Sequence, residues 1–418
     1  MIDAVSFELA TAARVLFGAG RIDTAATEIG ALGCQRALFV TGRSDERSAR
    51  LRDALLARGV GVVPFAVIGE PTVDSAREGV ARAVGRRCDA VVAMGGGSAL
   101  DCGKAVAALV ANGGDVLDHL EVIGRGRPLT RPSLPFVAIP TTAGTGSEVT
   151  RNAVLGDRDA RVKASLRSPL MLARLAIVDP ELLAGAPRSV LSSSGLDALS
   201  QLVEPYLSAR ANPLTDALAR EGMRRSARSL RRACLQGADP AAREDLSLAS
   251  LFGGLCLANA GLGAVHGFAA PVGGTFDVPH GAACAALLGP VLEVNLRALR
   301  ARAPAHPATA RFQHVAAALT GDAAATAEDA IAWIAGLCRD LEVAPLSRYG
   351  MTSSDVPSLV ARAKTANSMR ANPIALTDDE LAEIAERALA GPGGRTIERA
   401  RPEPACAGRP GGHDGSGA

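Results

Sequence analysis

VVAMGGGSALDCGK, residues 91–104, sets a triple glycine between a run of apolar, β-branched residues and an amphipathic helical pattern. A buried strand that turns on glycines into a helix start leaves backbone N–H groups facing outward, which is a cradle for an anion. The spacing is neither the G-x-x-x-x-G-K-[ST] of a Walker loop nor the G-x-G-x-x-G of the dinucleotide fingerprint. Ser98 and Asp101 form an S-x-x-D pattern, which predicts a helix beginning at Ser98 and capped by side chains. Outward from this stretch, RALFVTG (36–42), VGVVPFAVI (60–68) and LPFVAIPTT (134–142) read as strands. ERSARLRDALLARG (46–59) and TVDSAREGVARAVGRR (72–87) read as helices between them. Strands alternating with helices of this length predict βαβ units around a parallel sheet, an α/β domain.

A second loop follows the last of these strands: IPTTAGTGSEVT, residues 139–150. Its hydroxyls on Thr141, Thr142, Thr145 and Ser147 suit phosphate or ribose oxygens. Either loop alone reads equally well as a tight turn. Together, after neighbouring strands, they place a nucleotide in the crevice at the strands' carboxyl ends, with Gly96, Gly97, Ser98 and Asp101 supplying the other side.

After about residue 185 the strand signals vanish. VLSSSGLDALSQLVEPYLSA (190–209) and NPLTDALAREGMRRSARSLRRACLQG (212–237) are helical, the latter with Asn212 as cap and Pro213 at the first helical position. The expected organisation is an α/β domain over 1–185, an all-α domain over 186–390 and a disordered Gly/Pro/Arg-rich tail over 391–418. The length of 418 residues suits two domains. A net charge of +2 and 3% aromatic residues speak against nucleic acid as a partner. The N-terminus has no signal-peptide core, and no apolar run reads as a membrane span. The eight cysteines follow no repeated spacing, so neither disulfides nor a structural zinc site is indicated. The reading is a cytoplasmic protein with a small-molecule substrate and no membrane partner. Only three lysines occur, Lys104, Lys163 and Lys364, in a chain that otherwise uses arginine, which marks them as places where a compact ammonium matters.

Two of the six histidines fall in VHGFAAPVGGTFDVPHG, residues 265–281, among small and apolar neighbours. Each alone could be a hydrogen-bonded core residue; two converging on a metal is the alternative. GLDALSQLVEPY (195–206) sets Asp197 and Gln201 one helical turn apart, and a buried acid needs a partner or a cation.

These motifs together resemble the iron-containing (group III) alcohol dehydrogenases, a family that includes the related maleylacetate reductases. The family pattern has a GGGS-x-x-D-x-x-K loop, a P-T-T-x-G-T-G-S-E-V-T loop, a D-A-x-x-H helix and a histidine pair ending in P-H-G. Here these fall on Gly95 to Lys104, Pro140 to Thr150, Asp197 with position 201, and His266 with His280. The resemblance implies a two-domain enzyme with NAD(P)H in the first domain and a divalent iron or zinc ion in the interdomain cleft. That ion would be held by Asp197, Gln201, His266 and His280 and would polarise a carbonyl oxygen while nicotinamide delivers hydride. It also places Lys163 at a cofactor-contacting, catalytic position, and relatives of this kind are commonly homodimers or larger homo-oligomers.

Two positions depart from the family. Gln201 stands where a histidine ligand is expected, a neutral and weaker donor. Ala270 stands where many members have a histidine credited with proton transfer, so no general acid is assigned. Gly42 and Ser44 lie where NAD-preferring relatives carry an acid for the adenosine ribose, which permits NADH or NADPH. Metal-independent maleylacetate reductase chemistry is the nearest alternative, with Lys364 and Arg370 as candidate cations. A dehydroquinate synthase-like cyclase and a non-catalytic nucleotide scaffold are the more distant ones.

Overall fold

The computed structural model describes residues 6–42, 46–236 and 239–391. Ser44 and Arg43 lie outside the described residues, as does the expected tail beyond Gly391. The strands are β1 (Val15–Phe17), β2 (Arg36–Thr41), β3 (Gly61–Ala66), β4 (Ala90–Gly95), β5 (Phe136–Pro140), β6 (Asn152–Asp157), β7 (Val162–Arg167) and β8 (Leu175–Val178). In the first half the helices are α1 (Ala25–Gly30), α2 (Glu46–Ala57), α3 (Val73–Gly85), α4 (Gly97–Asn112) and α5 (Val116–His119). The second half is built from α6 (Arg188–Leu207), α7 (Pro213–Gln236), α8 (Pro240–Ala260), α9 (Ala264–Phe276), α10 (His280–Arg302), α11 (Pro307–Thr320), α12 (Ala327–Asp340), α13 (Val356–Thr365) and α14 (Asp378–Ala390).

Six strands form one parallel sheet in the order β1-β8-β5-β4-β2-β3. Every residue of β4 and β5 is buried, as expected of strands covered on both faces. Val91 pairs with Phe136 and Gly95 with Pro140, so the two glycine-containing loops leave the sheet side by side. On the other flank of β4, Thr41 of β2 lies opposite Met94. The chain runs from β2 out to β3, then returns across β2 to β4. The strand order therefore reverses between β2 and β4, and a crevice opens at that point.

The structure extends the sequence-derived series of strands. β1 and β8 join the sheet, and β6 and β7 form an antiparallel hairpin outside it. With three and four residues, β1 and β8 are too short to show a period, and pairing with neighbours decides them. One local expectation is corrected: α4 starts at Gly97 with Gly96 as its cap, and no side chain caps it. Ser98 is already inside the helix, and Asp101 bonds elsewhere. Other caps are as expected. Ser75 N–H donates to Thr72 Oγ1 at 3.0 Å, and Thr215 N–H to Asn212 Oδ1 at 3.1 Å ahead of Pro213.

The helical half buries a separate core in which Leu199 and Val203 of α6, Phe268 of α9, and Leu287 and Val291 of α10 take part. α10 is the one described helix with the length and apolarity of a membrane span, but most of it is buried in that core. α8 and α9 meet at 101° across a break at Gly261, whose φ is +72°. The halves touch backbone to backbone where the second loop meets α8. Gly146 has φ +59°, and a Cβ on Gly254 would lie 2.5 Å from the Gly146 carbonyl oxygen.

Candidate functional site

Between the halves lies a cavity of about 560 Å³. On the sheet side it is lined by Gly96, Gly97, Ser98 and Asp101 from the start of α4, and by Thr142, Thr145 and Ser147 from the second loop. The loops interlock through their small residues. A Cβ on Gly97 would sit 2.8 Å from Thr145 Cγ2, and Thr141 N–H donates to the Gly95 carbonyl at 2.9 Å. Thr141 therefore joins the loops through its backbone and is not among the lining residues. Gly42 is also outside the lining but packs beside the cradle, its backbone nitrogen 3.4 Å from where a Cβ on Gly95 would be.

Asp101 and Lys104 brace this wall. Ser147 Oγ and Val154 N–H both donate to the Asp101 carboxylate. Lys104 is fully buried, and its ammonium donates to Ser147 O at 2.6 Å, Ser147 Oγ at 2.9 Å, Thr150 Oγ1 at 3.0 Å and Asn152 O at 2.8 Å. Burial lowers its pKa to about 8, against the pull of Asp101 and Glu148. One compact ammonium thus ties α4, the second loop and β6 together. A planar guanidinium could not direct its donors to all four acceptors.

The hairpin carries Lys163 to the cavity, where its Nζ lies 3.4 Å from Glu70 Oε1. β6 rests on α4 through the Asp101 contact. β7 rests on α9: a Cβ on Gly274 would lie 3.0 Å from Arg161 O, Lys163 N and Val162 Cα. The remaining lysine, Lys364, pairs with Asp378 at 2.6 Å, and neither it nor Arg370 is among the lining residues.

On the helical side, Asp197, Gln201, His266, Ala270 and His280 all line the same cavity. Three elements converge here. α6 brings Asp197, the start of α9 brings His266, and the first residue of α10 is His280. His266 Nε2 lies 3.3 Å and His280 Nε2 3.7 Å from Asp197 Oδ1. A fourth donor, unforeseen from sequence, is Cys284, one turn along α10 from His280. Its Sγ is 3.7 Å from each Nε2. Donor atoms of Asp197, His266, His280 and Cys284 lie within 4.8 Å of one another, a group able to hold a metal ion.

Behind the cluster, Glu204 Oε2 accepts from His266 Nδ1–H at 2.6 Å, while its Oε1 accepts from Val265 N–H at 2.7 Å. This fixes the tautomer that leaves Nε2 as the metal-facing nitrogen. Glu204 was also missed, although it sits seven residues after Asp197 on the same helix. Burial opposes charge on Asp197, yet His280 and His266 outweigh it and hold the carboxyl down to about 2. Burial opposes charge on His280 as well, but Cys284 and Asp197 raise it to about 9. Carboxylate, imidazole and thiolate are together a fitting donor set for a divalent ion.

Comparison with known proteins agrees with this geometry. The family model for iron-containing alcohol dehydrogenase matches residues 12–180, and that for the Fe-containing alcohol dehydrogenase family, C-terminal, matches residues 191–389. The chain is 36% identical over 384 residues to a 1,3-propanediol dehydrogenase of Klebsiella pneumoniae, covering 89% of this chain and 96% of the relative. It is 35% identical to alcohol dehydrogenase 4 of Schizosaccharomyces pombe, covering 90% and 87%. The crystal structure of a 1,3-propanediol oxidoreductase superposes with a TM-score of 0.85 at 34% identity, covering 92% of this chain and all of that one. With its glycine–threonine wall and metal-binding cluster facing one cavity, the chain belongs to the iron-containing alcohol dehydrogenase family, and its chemistry is that of a dehydrogenase using a nicotinamide cofactor and a divalent metal.

Proposed function

We propose that the protein interconverts a small alcohol and its aldehyde or ketone, exchanging hydride with NAD(P)H in the interdomain cavity. The observation that carries this reading is the placement of two chemically distinct sites on one cavity: the glycine–threonine cradle on the sheet side and the donor cluster on the helical side. A divalent iron or zinc ion in that cluster would supply Lewis acidity to the substrate oxygen. The chain's own residues do the rest. Gly96, Gly97 and the N-terminus of α4 hold the cofactor phosphates, with Ser98, Thr142 and Thr145 beside them. Lys163 fixes the cofactor from the far wall. Asp197, His266 and His280 hold the ion, and Glu204 holds His266 in its working tautomer. No side chain at position 270 moves a proton, so the alcohol proton leaves through water or a cofactor hydroxyl. The relatives named above act on alcohols and on 1,3-propanediol, which supports a small primary alcohol as the substrate class.

The test is oxidation of a panel of short alcohols and reduction of the matching aldehydes, with NADH and NADPH separately, on enzyme purified without chelator. Turnover lost on Asp197→Ala supports the reading; no turnover with any member after iron or zinc loading sinks it.

A second reading, reduction of an unsaturated keto-diacid as in maleylacetate reductases, has one observation in its favour: Arg151, Arg167 and Arg210 line the cavity. Activity on such a diacid that survives chelation would select it. All seven described cysteines are free and buried, which suits the reducing cytoplasm, and a homo-oligomer is the expected assembly.

A further inference from the structure

We propose that Cys284 is a thiolate ligand of the metal, so that the site selects zinc over iron. The proposal rests on the reading of the cluster as a metal centre. It goes beyond that reading in naming the fourth donor and the metal.

The first observation is distance. Around a tetrahedral zinc ion with Zn–N of about 2.0 Å and Zn–S of about 2.3 Å, neighbouring donors stand roughly 3.3–3.7 Å apart. The separations are 3.3 Å from Asp197 to His266, 3.7 Å from Asp197 to His280, and 3.7 Å from Cys284 to each histidine. The two other separations, His266 to His280 and Asp197 to Cys284, are within 4.8 Å, so sulfur completes a group of four donors compact enough for one ion.

The second observation is placement. Asp197, His266 and His280 line the cavity, but Cys284 does not, and it is fully buried beneath the histidines. The thiolate closes the inner side, and the cavity side stays open to a substrate oxygen. With four protein donors in place, a substrate oxygen arriving from the cavity would be a fifth ligand, an expansion that catalytic zinc sites can make.

The third observation concerns Gln201. Its Oε1 is buried, has no hydrogen-bond partner and belongs to a residue that lines the cavity. An amide oxygen is a neutral, weaker donor than a thiolate, so the thiolate and not the amide sets the character of the site.

Binding is a ligand exchange without redox change. As the bonds to the metal form, any proton held on Cys284 Sγ or on the Nε2 of His266 or His280 passes to solvent, and His266 keeps its Nδ1 proton, donated to Glu204. A thiolate in place of an imidazole softens the donor set, which favours zinc over iron.

The experiment uses the full chain, without nicotinamide and without a histidine tag. Metal-free protein is offered equimolar iron(II) and zinc under anaerobic conditions, and the bound metal is counted by mass spectrometry. A second sample is loaded with cobalt(II) and its absorption recorded. The expected results are close to one zinc per chain in preference to iron, and a near-ultraviolet sulfur-to-cobalt charge-transfer band. Cys284→Ser should abolish the band and weaken zinc binding by more than the ~10- to 100-fold that losing an outer partner costs. Gln201→Ala should keep the band. Stoichiometric cobalt without a sulfur band, iron bound in preference to zinc, or metal lost in Gln201→Ala and kept in Cys284→Ser would each overturn the proposal. The last pattern would leave the metal centre standing with Gln201 as its ligand. Loss of all metal on Asp197→Ala, read in the same assay, reports on the centre itself and needs no substrate.

Discussion

Glu204 Oε2 and His266 Nδ1 are 2.6 Å apart, and that single contact decides which imidazole nitrogen faces the metal-binding cluster. In Glu204→Gln the amide oxygen would keep the bond from Val265 N–H, leaving the amide NH₂ against Nδ1. His266 would then have to accept at Nδ1 and carry its proton on Nε2, where the metal must bind. Metal affinity should fall about 10- to 100-fold, while cofactor binding stays as it was. Isothermal titration with zinc and with NADH separates the two. Unchanged zinc affinity would show that the contact only packs the helix.

Gly97 is the place to test the nucleotide wall. Alanine there would put a methyl group 2.8 Å from Thr145 Cγ2 and 2.9 Å from Thr145 Oγ1. The loops must part, at a cost of about 1–3 kcal/mol of overpacking. The Kd for NADH, followed by nicotinamide fluorescence, should rise on the order of tenfold or more, with metal content unaffected. A Kd equal to that of the parent would remove Gly97 from the cradle.

Lys163 should not tolerate arginine. Its Nζ is 3.0 Å from where a Cβ on Gly273 would lie, leaving no room for a guanidinium on that side. Lys163→Arg and Lys163→Ala should both raise the KM for cofactor, and Lys163→Arg should not restore it. Rescue by arginine would show that charge alone is read at this position.

Stability should depend on pH through Glu148. It is 2% exposed, and burial pushes its carboxyl from 4.5 up to about 7, against the opposing pull of its own backbone N–H and of Lys104. The folded chain therefore keeps a proton that the unfolded chain gives up. The resulting stabilisation is complete below pH 4.5 and is lost as pH rises to about 7. Linkage sets the loss at roughly 3 kcal/mol. In urea unfolding across that window, wild type should lose ground against Glu148→Gln, whose amide stays neutral. A constant difference between them would show that Glu148 does not titrate in the fold.

Much of this was legible in the sequence because the signals were local. The strand–glycine–helix run at 91–104 and the threonine loop at 139–150 carry their own turn chemistry, and their register needs only one strand pairing. Asp197, His266 and His280 stood out because polar groups in apolar surroundings require an explanation. Cys284 and Glu204 did not stand out. A buried cysteine or glutamate has the same appearance in sequence whether it faces a metal, a histidine or the core. The i, i+4 spacing from His280 to Cys284 was the available signal, and it gains meaning only when α6 and α9 bring their donors to it. The capping pattern at Ser98 misled for the opposite reason. Asp101 finds better partners in Ser147 and Val154, which are distant in sequence, and tertiary contact overrides the local motif.

The hairpin of β6 and β7 has a mechanical consequence. One strand is moored to α4 by Asp101 and Lys104, and the other lies against Gly274 of α9, so the strap has a foot on each bank of the cavity. Lys163 is thus a fixed post and not part of a lid. This wall of the cavity stands without a ligand to hold it, and amide exchange along residues 152–167 should already be slow in the cofactor-free protein.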